Sequence, residues 1–189
     1  MKMIRQARKE DAEAIVELFR TILIDTEHPI MNDFPWEALK PPLVEAALRE
    51  DYIQSYHNAL VKEINGEIAD FCFSYDGQLI EKGIEPLGIV LKNYSLPDFR
   101  TLLKEESFAG EWYLDSLVTK PSFRGQGVGK ALLNGTYDLA RKSGFSKVGL
   151  NVDQSNPRAL KLYRNQGFEK VGEVKLGDHM YDHMQKSVI

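Results

Sequence analysis

The first readable chemistry lies in seven consecutive residues, Arg124-Gly125-Gln126-Gly127-Val128-Gly129-Lys130. A basic residue leads three alternating glycines, and the helical pattern of Ala131, Leu132 and Leu133 follows at once. In front of them an apolar, β-branched stretch from Leu114 to Thr119 ends just before Pro121. Strand, glycine loop and helix N-terminus together aim several backbone N–H groups at one anion. Glycine suits such a loop because a Cβ would hold a phosphate away from the chain. The stretch therefore reads as a cradle for a pyrophosphate-containing cofactor.

Two familiar phosphate motifs fail on these residues. The dinucleotide fingerprint G-x-G-x-x-G fits Gly125 and Gly127 but meets Lys130 where its last glycine belongs. The P-loop pattern fits Gly129-Lys130, yet Arg124 stands at its first glycine and Ala131 replaces the hydroxyl that would hold magnesium. What is left is R-x-x-G-x-G opening an amphipathic helix. A second patterned segment, Asn156-Pro157-Arg158-Ala159-Leu160-Lys161-Leu162-Tyr163 followed by Gly167-Phe168, lies downstream. With these two signatures the sequence resembles the GNAT superfamily of acetyl-CoA-dependent N-acetyltransferases. Ile4-Arg5 and the helix opening at Asp11 resemble that family's start.

The positioning elements follow from periodicity. Met3 to Ala7 predicts a first strand. Ala14, Ile15, Leu18, Phe19, Ile22 and Leu23 carry the i, i+3, i+4, i+7 spacing of an amphipathic helix. Pro29, Pro35, Pro41 and Pro42 predict irregular chain, and a second helix is expected from Leu43 to about Tyr56. Ala59 to Ile64 and Glu67 to about Tyr75 read as strands joined by the hairpin turn Asn65-Gly66. Residues 77–109 form a weakly patterned excursion, with one helical turn expected over Pro97–Leu103. Glu111 to Thr119 is a strand, and the glycine loop then opens a helix to about Lys142 that Gly144 closes. Lys147 to Val152 is a strand. Asn156 caps, and Pro157 begins, a short helix stopping at Gly167. Phe168–Val174 and His179–Val188 read as a closing antiparallel pair. The expectation is one mixed α/β domain over residues 1–189. The resemblance implies a mostly antiparallel sheet splayed between its fourth and fifth strands and flanked by about four helices.

Composition excludes other classes. A formal net charge of −4 gives no clustered basic face for nucleic acid. No run approaches the roughly 18 apolar residues of a membrane span. The opening Met1-Lys2-Met3-Ile4-Arg5 lacks a signal-peptide pattern, so a cytoplasmic protein is expected. The single cysteine, Cys72, sits in an apolar run and reads as a packed core thiol. His179 and His183 are four apart in an alternating stretch without a third ligand in sight, so no metal is expected.

The resemblance assigns roles residue by residue. Main-chain groups of Leu117, Val118 and Thr119 would hold the pantetheine arm and acetyl carbonyl of acetyl-CoA. The backbone from Arg124 through Gly125, Gln126, Gly127, Val128 and Gly129 to Lys130 would bind its pyrophosphate. Asn156 would reach the cofactor arm, and Tyr163 would protonate the departing thiolate. Neutralising an alkylammonium of pKa about 10.4 at pH 7 costs roughly 4–5 kcal/mol, so a proton acceptor is needed. Asp115 is the first candidate base, Glu111 the second, and an ordered water relay a third. The implied reaction is direct attack of a primary amine, on a small molecule or a peptide, in a ternary complex. A catalytically silent acyl-CoA sensor and an acetyltransferase of protein N-termini or lysines stay open as alternatives, and a homodimer is compatible with either. The acceptor is expected to be chosen by Asp25–Trp36, the 77–109 excursion and the last two strands. Glu27, Asp33, Glu105 and Glu106 there would suit a cationic one.

Overall fold

The structure, a computed structural model, describes residues 2–99 and 107–189. Seven strands form one sheet: β1 (Lys2–Gln6), β2 (Ala59–Ile64), β3 (Glu67–Asp76), β4 (Trp112–Thr119), β5 (Lys147–Asp153), β6 (Glu169–Leu176) and β7 (His179–Ser187). Their spatial order is β1-β2-β3-β4-β5-β7-β6. Every neighbouring pair is antiparallel except β4 and β5. That parallel pair is joined by α6 (Val128–Lys142), the crossover that parallel strands require.

Side-chain alternation along the strands divides the core between two faces. Phe71, Phe73, Tyr75, Tyr113 and Val118 pack beneath α1 (Ala12–Asp25), α3 (Trp36–Ala47) and α5 (Glu85–Asn93). Cys72, Leu114, Val148, Leu150 and Met184 pack beneath α6 and α7 (Pro157–Asn165). The short helices α2 (Ile30–Asp33) and α4 (Ile80–Gly83) complete the set. Arg5 ties β1 to the head of α1, reaching Asp11 at 2.6 Å and Glu63 on β2 at 2.9 Å.

Two features of β4 position the site. Its pairing with β5 is confined to Trp112↔Val148 and Tyr113↔Gly149. From Leu114 onward the strands part, so among the described residues no strand pairs with the backbone of Leu117 to Thr119 on that edge. The register against β3 also jumps: Phe73 faces Ser116, but Ser74 faces Leu114. Asp115 is thus the extra residue of a β-bulge, a device that re-aims a side chain. Because of it, Asp115 and Ser116 line the same cavity although adjacent strand residues normally point to opposite faces.

Two expectations need correcting. The second helix does not begin at Leu43 and reach Tyr56; α3 starts at Trp36, runs through Pro41 and Pro42, and stops at Ala47. Prolines so placed remove two helical N–H donors. Burial of Trp36, Leu39, Leu43, Ala46 and Ala47 along one face offsets that loss, since packing rather than propensity carries most helix stability in proteins. The 77–109 excursion is not structureless either. It holds α4 and α5, and Leu87, Val90 and Leu91 of α5 are buried. The helical turn expected over Pro97–Leu103 falls mostly outside the described residues.

Candidate active site

A cleft of about 470 Å³ opens where β4 and β5 part. It is lined by Leu117, Val118 and Thr119 of β4 and by the loop and first turn at Arg124, Gly125, Gly127, Val128, Gly129 and Lys130. Asn156, Ala159 and Tyr163 of the α7 segment and Ile22 of α1 close it. Gly127, with φ of 71°, caps α6, and Gly125 has φ of 77°. Both lie in the left-handed region that disfavours a side chain, and a Cβ on either would meet nothing within 4 Å. Their requirement is therefore conformational: they bend the chain so that the first N–H groups of α6 face the cleft. Arg124 folds back to donate from Nε to the Thr119 carbonyl at 3.3 Å. Gln126 does not line the cleft; its side chain turns to the Ser122 carbonyl at 3.4 Å.

Asn156 caps α7, its Oδ1 accepting from the Ala159 N–H at 3.0 Å. The cap uses the carbonyl oxygen alone, so cap and cleft roles are compatible. Tyr163 packs edge-on against Phe168, ring centroids 5.6 Å apart. Its hydroxyl is held above the ordinary phenol range by burial first and by Cys72, Tyr137 and Asp70 next. Cys72 itself is fully buried, and desolvation pushes its thiol up to about 12. Such a thiol is a poor nucleophile. Below the loop, Asp70 on β3 is 0 % exposed. Burial pushes its carboxyl up to about 7 while Thr119 and Lys62 pull the other way.

A second cavity, of about 230 Å³, lies on the α1 side of β4. It shares Ile22 with the first, and the two are lined by the consecutive β4 residues Ser116 and Leu117. Its wall is largely apolar, with Phe19, Leu23, Leu43, Leu87, Phe99 and Tyr181 among its members. Asp115 lines it half-buried. Tyr75 and Gln54 donate to Oδ2 of Asp115 at 2.6 and 2.7 Å, and Ser116 donates to Oδ1 at 3.1 Å. Tyr52 donates to Gln54 Oε1 at 3.0 Å and so fixes which end of that amide faces Asp115. Desolvation outweighs these three donors, and the Asp115 carboxyl is raised above the usual range. A carboxylate so raised is a better proton acceptor than an exposed one. A third depression, of about 630 Å³ beside α5, shares no lining residue with either cavity.

Glu111, the second candidate base, is not brought to a cavity. It is 1 % exposed, and three groups occupy its carboxylate. A Cβ on Gly149 would collide with that carboxylate, so β5 comes this close only because position 149 is glycine. His179 bonds Asp153 at 2.8 Å, and His183 lies in the core beside Glu111. Among the described residues no cluster of three or more His, Cys, Asp or Glu is arranged to hold a metal ion. Among them also, no helix is long and apolar enough to cross a membrane. Of the acidic residues expected to meet a cationic acceptor, Glu27 and Asp33 are exposed and line neither cavity. Glu105 and Glu106 lie outside the described residues. Gln54, Tyr75, Tyr113 and Asn151 were not legible as site residues: each sits in a segment whose pattern signals only core or turn.

A family model for the acetyltransferase (GNAT) family matches residues 28–168, and the chain belongs to that family. It is 26% identical over 175 residues to a thialysine N-epsilon-acetyltransferase of Bos taurus, covering 92% of this chain and 87% of that protein. A solved acetyltransferase structure is 39% identical with a TM-score of 0.88, covering 99% of this chain and 100% of that one. An N-acetyltransferase from Staphylococcus aureus Mu50 is 29% identical with a TM-score of 0.85, covering 97% and 100%.

Proposed function

We propose that this acetyltransferase takes its acetyl group from acetyl-CoA and passes it to a primary amine by direct attack in a ternary complex. The observation that carries the reading is the meeting of two cavities on β4, one backed by a helix N-terminus and the other lined by a basic carboxylate. The cleft suits the donor: the N–H groups at the head of α6 match a pyrophosphate, and Gly125 and Gly127 leave open space in front of the chain. Each such charge-assisted bond contributes about 1.5–3 kcal/mol, so several together need no metal. Acetyl-CoA supplies an activated acyl group with a thiolate leaving group. The unpaired edge of Leu117 to Thr119 orients the arm that carries it.

The acceptor enters the second cavity as an ammonium, and Asp115 takes its proton. Oδ1 of Asp115, which carries only the Ser116 bond, is the oxygen placed to do so. Tyr163 keeps its own proton, because its hydroxyl is raised above the ordinary phenol range and a thiol's pKa of about 8.5 lies below both. It therefore steadies the departing thiolate as a hydrogen-bond donor more than it surrenders a proton. The apolar wall favours an amine borne on an apolar body.

The test is release of free thiol from acetyl-CoA with a panel of arylalkylamines, polyamines, lysine-type amino acids, aminoglycosides and peptides. Turnover with a primary amine that Asp115→Asn removes supports the reading. Tight acetyl-CoA binding with no turnover on any member overturns it in favour of a silent acyl-CoA-binding domain.

A further inference from the structure

Behind the acceptor cavity runs a chain of polar side chains that the proposed mechanism does not use. Glu111 and His183 are 1 % and 0 % exposed. Oε1 of Glu111 accepts from the Phe108 N–H at 2.7 Å. Oε2 accepts from Gln185 Nε2 at 2.7 Å and faces His183 Nε2 at 3.0 Å. The other ring nitrogen, Nδ1, faces Asn151 Oδ1 at 2.6 Å, and Asn151 Nδ2 donates to the Tyr113 hydroxyl at 3.1 Å. The Phe108 ring lies flat on the imidazole, centroids 3.8 Å apart and planes within 10°. Tyr113 and Asn151 both line the acceptor cavity.

With Glu111 ionised, counting donors fixes the protonation of this chain. A carboxylate only accepts, so Nε2 of His183 carries a hydrogen. The amide nitrogen of Asn151 donates to Tyr113 and its oxygen faces Nδ1, so that nitrogen carries a hydrogen too. Charge gives the same answer independently. Phe108 and Gln185 offer Glu111 neutral donors only, and a buried carboxylate without a counter-ion is costly. Among the described residues His183 is the one basic side chain within ion-pair distance of Glu111, and it is a counter-ion when both its nitrogens carry hydrogen. A neutral imidazole with its hydrogen on Nε2 would require the Asn151 amide to turn over and Tyr113 to donate to it, and one with its hydrogen on Nδ1 would require Glu111 to be un-ionised and to donate to Nε2.

We propose that Glu111 and His183 form a buried carboxylate–imidazolium pair that acts as a positioning element for the acceptor cavity. By holding both imidazole nitrogens protonated, Glu111 locks the amide of Asn151 with its nitrogen toward Tyr113. The Tyr113 hydroxyl is thereby kept as an acceptor in that bond, with its own proton directed away from Asn151. His183 touches no substrate. It sets the hydrogen-bonding sense of a group that lines the cavity. The kinetic part of this inference rests on reading that cavity as the acceptor site, whereas the ion pair does not.

The test has a spectroscopic arm and a kinetic arm. In protein labelled with ¹⁵N-histidine, the His183 ring should show a hydrogen on both nitrogens, as its bonds to Glu111 and Asn151 in the ion pair require. Glu111→Gln, which keeps the shape and removes the charge, should return that ring to the neutral form. A ring with only one protonated nitrogen in the wild type overturns the pair. Asn151→Asp keeps an acceptor for Nδ1 but forces Tyr113 to donate. It should leave His183 doubly protonated and acetyl-CoA affinity within about twofold, while kcat/KM for the amine falls roughly tenfold, the scale of one misdirected hydrogen bond. Tyr113→Phe should produce the same loss, and the two together no more than either alone. Unchanged amine kinetics in Asn151→Asp, or additive losses, overturn the positioning role. If the wild type acetylates no amine at all, the acceptor-site reading and the positioning role fall together, and the ion pair still stands or falls on the spectrum.

Discussion

The two cavities on either side of the β4 bulge are built by different means. The cleft proposed for the cofactor is built around backbone: a helix N-terminus, two left-handed glycines and a strand edge, with ten of its eighteen lining residues within Leu117–Lys130. The cavity proposed for the acceptor is made of side chains drawn from α1, α3, α5, β4, β5, β6, β7 and the segment before β2. A backbone site demands particular residues at fixed spacing, because only glycine adopts its angles cheaply. A side-chain site demands only that distant segments arrive together. One region is therefore constrained locally and the other globally.

That contrast can be broken by mutation, beginning with the largest effect. Gly127→Glu puts a strained, negatively charged residue at the cap of α6. Calorimetry should show acetyl-CoA affinity reduced by at least roughly 100-fold, with the thermal transition otherwise intact. Unchanged affinity would remove the loop from the donor site. Asp115→Asn should lower kcat by roughly 10²–10³-fold and leave acetyl-CoA binding alone. In the wild type the rate should rise with pH through a limb lying above the ordinary carboxylate range of about 4, since burial raises Asp115. A limb that survives in Asp115→Asn would point to a water relay.

Asp70 tests whether the cleft's floor is tuned for neutrality. Its pKa of about 7 in the fold exceeds the unfolded value, so between pH 4 and 7 the native state binds more protons than the unfolded state. Its contribution is fully present below the unfolded pKa and is lost as pH rises through about 7. Asp70→Asn should therefore raise stability at pH 8 by about 4 kcal/mol, the equivalent of roughly three pKa units, and change little at pH 4. Melting curves at both pH values check it, and an equal change at both would refute the linkage. The smallest effect belongs to Tyr163→Phe: kcat should fall roughly tenfold with donor affinity retained, as stopped-flow thiol release would show. Full activity would reject its role toward the thiolate.

The same division explains what could be read from the chain. Arg124–Lys130 and Asn156–Phe168 identify the family and lead to a splayed sheet, because their residue types are fixed by local backbone geometry. Asp115 was legible only as an acidic residue on the strand beside the splay. Its three donors, Gln54, Tyr75 and Ser116, include two from other segments. Glu111 had the same chemical type four residues earlier, yet it is buried against Gly149 and His183. Nothing in local sequence separates those two carboxylates; burial by β5 and β7 does. Helix α3 was misplaced for a related reason, since Pro41 and Pro42 argue locally for irregular chain while the apolar face through them is satisfied only by the sheet.

The bulge at Asp115 makes the site a matter of parity as much as of residue identity. Every residue of β4 before it is one step out of phase with those after it, so Leu114 and Leu117 face α6 while Tyr113 and Val118 face α1. Substituting Asp115 removes one functional group and leaves this phase alone. Deleting it would remove the bulge and leave Tyr113, Ser116 and Val118 on the α1 face and Leu114 and Leu117 on the α6 face, in regular alternation and in continuous register with β3. The sheet would still bury both of its faces, and the loss would fall on the site, which would be left without the carboxylate and without the local bend that a bulge gives its strand.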